Sequence, residues 1–325
     1  MHGSLQASQM KKTYYVDRKI INLQSGFAEK QLCDGPTFTA GDACVYSCAF
    51  CFTESMGTTK GITESHTESI VRRRNPLQVL ANQLLHPNGK PKYNDPTDQR
   101  VIYGSPLVDV AANIELCKET IEICKFILTT THWQIRLLSK SNLLPYIAKA
   151  LNEYKNRVIY GVSTGTPDNN LAKAFECGTA LVSKRIESLH WLQDNGFRTY
   201  GMLCPSLPYS TTEEYETLSR DLNNLIRSDK CEQVWGEVIN VRGESMERTC
   251  DALITSGYEK EAKLLREVTE DQEKWEQYSR KTFEAHTKYC PKDKLRYLQY
   301  IKPETVAWWK EKESEGAVLL GHIKI

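Results

Sequence analysis

Cys44, Cys48 and Cys51 lie in the stretch ACVYSCAFCF and form a C-x3-C-x2-C pattern. Thiolates set so close together are soft donors for iron or zinc. A loop this short can wrap three sulfurs around three corners of an iron–sulfur cube, and such clusters are usually held by four thiolates. The next cysteines on either side are Cys33 and Cys117. The spacing therefore predicts a four-iron four-sulfur (4Fe-4S) cluster with one iron open to a small molecule. Zinc is the alternative, but a structural zinc site wants four protein ligands. No second CxxC and no His pair follows at finger spacing, and the next histidine is His66.

A loop that does chemistry must be positioned by regular elements. From about residue 37 to 241, short β-like runs alternate with helical patterns, which reads as an α/β fold with a parallel sheet. Strands are expected over 37–39, 100–103, 134–138, 157–162, 198–203 and 233–241. Ile114, Cys117, Ile121, Cys124 and Leu128 recur at helical spacing. Ser183 is the expected cap of a helix carrying Ile186, Leu189 and Leu192, with Gly196 just past its end. Ser210 and Glu213 have capping-box spacing ahead of Tyr215, Leu218, Leu222 and Leu225. Six strands with intervening helices imply a partial (β/α)6 TIM-like barrel, whose chemistry belongs at the C-terminal strand ends. The cysteine loop follows the first strand. Residues 1–35 read as an N-terminal extension and 36–243 as the barrel. Residues 244–325 read as a helical C-terminal extension or cap, with helical patterns over 262–267, 274–287 and 304–312.

Composition narrows the class. The chain has 325 residues, 42 Lys and Arg against 41 Asp and Glu, and a net charge of +1. Eleven cysteines scattered over this length fit no disulfide framework. No run approaches the roughly 20 apolar residues of a membrane helix, and the N-terminus lacks an apolar signal region. A cytoplasmic location is expected. P-loop, GxGxxG, HExxH and nucleophile-elbow motifs are absent from the sequence.

With Phe50 before its last cysteine, the motif resembles the C-x3-C-x-aromatic-C hallmark of the radical S-adenosylmethionine superfamily. The segments YGSPLVDVAANIELCKETIEI (103–123), RLLSKSNLL (136–144), GVSTGTPDNNLAKAFECGTALVSKRIESL (161–189) and VWGEVINVRG (234–243) resemble the spore photoproduct lyase branch, often labelled DNA-repair-photolyase-like. The resemblance implies an enzyme whose cofactors are a 4Fe-4S cluster and S-adenosylmethionine. Cys44, Cys48 and Cys51 would ligate the cluster. The open iron would hold the amino and carboxylate groups of S-adenosylmethionine. Gly104 and Ser105 stand where the family meets the methionine amino group, although its usual glycine-glycine-glutamate is absent here. Lys140, with Ser141 beside it, would pair with the methionine carboxylate or stand solvated at a strand end. Ser163 would contact ribose or methionine. Arg185, following Glu176, would bind the carboxylate or lie on a helix surface. Asp109 would bind substrate or cap the helix from Asn113, and Asn240 would face the pocket or make a turn.

The implied reaction is reductive cleavage of S-adenosylmethionine followed by hydrogen abstraction from an organic substrate, with a nucleobase, nucleotide or DNA favoured. The implied electron donor is a protein such as flavodoxin or ferredoxin. A peptide or amino-acid-like substrate is the alternative, and so is a zinc- or cluster-binding module without turnover. Cys204, ending the fifth strand in GMLCPSLP, is the candidate catalytic hydrogen donor, with plain packing as its other reading. Cys117 and Cys124 read as core. Arg72, Arg73 and Arg74 form the compact basic run. With Tyr46, Phe50 and Phe52 they could meet nucleic acid, or form a solvated loop.

Overall fold

The computed structural model describes residues 11–57, 59–63, 69–104, 106–239 and 241–321. Among them, Thr37–Phe38, Val101–Gly104, Gln134–Ser139, Val158–Ser163, Arg198–Ser206 and Val234–Val238 are consecutive parallel strands, each within a few residues of its expected place. Two further parallel strands, Leu295–Tyr300 and Ala317–Leu320, continue the same sheet, and Ile21–Asn22 caps its other edge antiparallel to Thr37–Phe38. Among the described residues the sheet keeps two unpaired edges, so the barrel is partial, as the strand count implies. The C-terminal region is helical as expected (Ser245–Thr255, Glu259–Glu270, Gln272–Tyr289, Val306–Glu311), but it also supplies those last two strands.

Alternation of side chains along each strand separates two cores. Ile102, Val158, Tyr160, Leu203 and Tyr297 face the helices, joining Cys117, Cys124, Leu189 and Leu222. Their neighbours Tyr103, Ile159, Met202, Trp235 and Leu298 face the concave side. That side is filled from the N-terminal extension: Phe27, Ala28, Leu32 and Cys33 belong to the inner core. Arg136 locks this plug, donating to the carbonyls of Leu32 (2.7 Å) and Gln31 (3.2 Å) while its guanidinium lies over Trp235. Trp235 Nε1 in turn donates to the Lys30 carbonyl at 2.9 Å.

Local signals shift slightly. The capping box is made by Thr211 and Glu214, one residue beyond the expected pair, because Thr211 rather than Ser210 takes the N-cap position of Thr212–Ile226. Ser183 is not a cap; it lies inside Val182–Asp194, and its N–H donates to Asn169 Oδ1. Arg72 and Arg73 are not a loop but part of the strand Ser69–Arg73. Arg72 pairs with Glu119, and Arg73 makes two 2.8 Å contacts with the buried Asp42. These two charges are spent inside the protein.

Candidate active site

The cysteine loop is held on every side. Ser47–Cys48 pairs antiparallel with Glu176–Cys177, and Ala49 N–H donates to Phe175 O at 2.8 Å. The Phe50 ring meets Phe175 edge-on at 5.8 Å. Arg248, from the C-terminal region, donates to the carbonyls of Cys51 (3.1 Å) and Ala49 (3.3 Å). Lys11 Nζ donates to Tyr46 O at 3.1 Å.

All three thiols are partly buried and line one cavity of about 170 Å³ at the C-terminal ends of the strands. Cys51 Sγ lies 3.0 Å from Thr53 Oγ1. Backbone N–H groups of Asp109 and Tyr46 point at the Cys44 sulfur. Burial, reinforced by Asp109, pushes the Cys44 thiol up to about 12, and burial beside Glu176 raises Cys48 well above its ordinary value. Among the described residues, no fourth cysteine and no histidine lines the cavity. Nor, among them, do three His, Cys, Asp or Glu side chains converge on a single-ion site. Three soft donors spread around a cavity fit a cluster with one free corner better than one ion.

The facing wall is polar and closely paired. Lys140 Nζ, after the third strand, lies 2.8 Å from Ser163 Oγ and 2.8 Å from Glu176 Oε1, with the Phe50 ring 5.4 Å away. Arg185 contacts Glu176 Oε2 at 2.6 Å and donates to Ser163 O at 2.8 Å. Burial alone would push the Glu176 carboxyl up; Lys140 and Arg185 outweigh it and hold it below the ordinary range. Asp109 accepts from Ser139 Oγ and from Lys140 N–H, each at 2.7 Å. It tethers the third strand's end to the loop after the second. The cap of Ile114–Thr130 is Asn113, so Asp109 is free of that task.

Lys140, Ser163 and Asp109 thus line the cavity with the three cysteines. Ser141 is buried behind them, its Oγ accepting from Leu143 N–H. Arg185 is buried rather than on a helix surface, and it reaches the cavity only through Glu176 and Ser163. Gly104 is packed toward the helix-facing core: a Cβ there would lie 2.5 Å from Phe38 and 2.9 Å from Leu137. Ser105, Asn240 and His66 lie outside the described residues.

Cys204 sits where the two sides meet. Its carbonyl accepts from Ser163 Oγ (3.0 Å) and Lys140 Nζ (3.2 Å), and its thiol points to Glu237 Oε2 at 3.7 Å. Burial, then the Glu237 charge, pushes this thiol far above its ordinary value, so it stays protonated. Lys30 from the plug pairs with Glu237 at 3.2 Å. Sequence reasoning did not find Lys11, Lys30, Glu237 or Arg248. Glu237 lies in the family-like segment 234–243 but nothing singles it out there, and each of the four acts through a contact about 200 residues away or from a terminal segment.

Comparison with known proteins agrees with this geometry. The family profile described as spore photoproduct lyase matches residues 99–303, more than half of the chain, from just before the second strand to just past the seventh. A curated relative, the uncharacterized protein ORF301 of Acidianus two-tailed virus, is 23% identical over 242 residues, covering 70% of this chain and 75% of that one. Among solved structures, a cysteine-to-serine mutant of spore photoproduct lyase aligns with a TM-score of 0.53 at 14% identity over 73% of this chain. Spore photoproduct lyase complexed with dinucleoside spore photoproduct aligns with a TM-score of 0.51 at 13% identity over 74%. The chain spans just under two thirds of those two proteins, 65% and 66%. Their likeness is one of fold; the profile match decides membership. The chain belongs to the spore photoproduct lyase family of radical S-adenosylmethionine enzymes, whose cofactors are a 4Fe-4S cluster and S-adenosylmethionine.

Proposed function

We propose that this protein cleaves S-adenosylmethionine reductively and removes hydrogen from a substrate bearing a nucleobase. The observation that carries the reading is the cavity in which three thiols face a paired Lys140, Ser163 and Asp109. Cys44, Cys48 and Cys51 would hold the cluster as thiolates, their protons released to solvent when it binds. A cluster held there and reduced by a donor such as flavodoxin or ferredoxin would supply the one-electron chemistry for reductive cleavage of S-adenosylmethionine.

The chain's own residues set the stage for that step. Lys140 presents a fixed positive charge to the methionine carboxylate, a charge-assisted contact. Ser163 offers a hydroxyl to the same ligand, and the loop at Gly104 and Ser105 would meet its amino group. Arg185 and Ser141 are positioning residues: Arg185 fixes Glu176, which fixes Lys140, and Ser141 anchors the turn after the third strand. Cys204 keeps its S–H bond at neutral pH. It would be the hydrogen donor to a product radical, the carbon gaining C–H and the sulfur left as a thiyl, from a thiol that lies beside Glu237 outside the lining of the cluster cavity.

A nucleobase substrate is carried over from the relative complexed with dinucleoside spore photoproduct. The test is anaerobic. The protein is reconstituted with iron and sulfide, given dithionite and S-adenosylmethionine, and assayed for 5′-deoxyadenosine beside a Cys48→Ala control. Formation by the wild type alone is expected. A full cluster with bound S-adenosylmethionine and no cleavage, with or without nucleotide, would overturn the reading.

A further inference from the structure

A second cavity, of about 400 Å³, opens beside the cluster pocket and shares Phe52 with it. Its walls come from the plug (Phe27, Glu29, Lys30), the cysteine loop (Phe52), the segment after the sixth strand (Arg242) and the seventh strand (Tyr300). Arg242 is clamped between two rings, its guanidinium carbon 5.4 Å from the centroids of both Phe52 and Tyr300. Nη2 donates to the Tyr300 hydroxyl at 3.2 Å. Nε is buried and, among the described residues, has no hydrogen-bond partner.

The other cations nearby are matched, and Glu29, in the same lining, makes no ion pair with Arg242 among the described residues. Lys30 has Glu237, Lys140 and Arg185 share Glu176, Arg73 has Asp42 and Arg72 has Glu119. Among the described residues, no carboxylate pairs with Arg242. A partly desolvated guanidinium is costly unless an anion completes it, and its planar fork suits an oxyanion held by two parallel hydrogen bonds. The rings also prevent it from swinging away to solvent.

We infer that this cavity is an oxyanion subsite: Arg242 holds a phosphate or carboxylate of the substrate, while Phe27 supplies apolar surface for the attached planar group. The inference rests on the proposed reaction for what enters the cavity. It specifies that the substrate is a charged molecule rather than a neutral nucleoside. Because Phe52 separates the two cavities, an anion fixed at Arg242 places the rest of the substrate next to the cluster pocket.

The test is equilibrium binding to the reconstituted protein with S-adenosylmethionine present. The probes are thymidine 5′-monophosphate, thymidine and benzoate. The monophosphate is expected to bind about ten-fold tighter than thymidine, and Arg242→Gln to erase that difference while sparing thymidine. Arg242→Lys, which keeps the charge and loses the fork, is expected to fall between. Benzoate losing affinity in Arg242→Gln would mark a carboxylate source; dependence confined to the monophosphate would mark a phosphate. In the wild type, added salt is expected to weaken the monophosphate and leave thymidine unchanged, a readout that needs no variant. Equal affinity for thymidine and its monophosphate, no binding of any probe, or equal loss of both in Arg242→Gln overturns the subsite. 5′-Deoxyadenosine formed by the same wild-type preparation reports on the reaction alone, so the two ideas can fail separately.

Discussion

The two cavities that share Phe52 are built on opposite principles. In the cluster pocket the buried charges already have partners: Glu176 sits between Lys140 and Arg185, and Asp109, pushed up by burial, accepts from Ser139 and from the N–H groups of Lys140 and Ala111. In the outer cavity Arg242 is propped between rings with no anion among the described residues. A charge network complete without ligand keeps one geometry throughout turnover, as an oriented cofactor site requires. A charge left open waits for something that comes and goes. The contrast separates the part of the site that must stay constant from the part that selects.

The largest effect should come from the cluster loop. Cys48→Ala is expected to drop cluster iron to a small fraction of wild type, read by iron and sulfide analysis; a retained full cluster would mean that another donor replaces the thiol. Next comes the balance itself. Glu176→Gln leaves Lys140 and Arg185 without their shared carboxylate, and loss of one partner from a buried pair costs about 3–5 kcal/mol. Urea unfolding should show that loss, and a change below about 1 kcal/mol would place Glu176 in a wetter setting than its burial implies.

Acid should expose a third buried group. His286 is buried, its Nδ1 2.8 Å from Ser219 Oγ, and burial pushes it down to about 4. Its folded value lies below the unfolded one near 6.5. The stability it contributes is therefore whole above that value and falls as pH drops toward 4, by up to about 3 kcal/mol. Unfolding curves between pH 7 and 4.5 should steepen this way in the wild type and flatten in His286→Gln. The smallest effect is expected where the comparison is sharpest. Arg242→Met removes a cation with no anion and keeps an apolar stem between Phe52 and Tyr300, so stability should change by less than about 1 kcal/mol in either direction. A loss as large as that of Glu176→Gln would mean that Arg242 is structural.

Much of this was legible in the sequence, for physical reasons that differ by element. The first six strands and the Ile114–Thr130 stripe carry strong periodicity, and the three cysteines carry their chemistry in their spacing. Lys140 and Ser163 could be placed because strand ends in this architecture point at the site. The last two strands were not legible: LRYLQY and AVLL are short, follow long helices, and owe their state to the sheet edge that receives them. Arg185 could be named but not placed, since its burial depends on Glu176 and Ser163 from other elements. Lys30 carried no signal, and Arg242, though inside the family-like segment 234–243, showed nothing of its setting, because that arises only when the plug and the seventh strand meet.

The plug also sets an order of assembly. Phe27, Lys30 and Leu32 are synthesised about 200 residues or more before their partners Trp235, Leu298 and Val318. The inner face of the sheet must stay unsealed until nearly the whole chain exists. Contacts spanning about 200 residues are slow to close, so the concave surface passes through a wet, accessible stage before the plug docks. A chain stopped before the seventh strand would remain open there to water and to other chains.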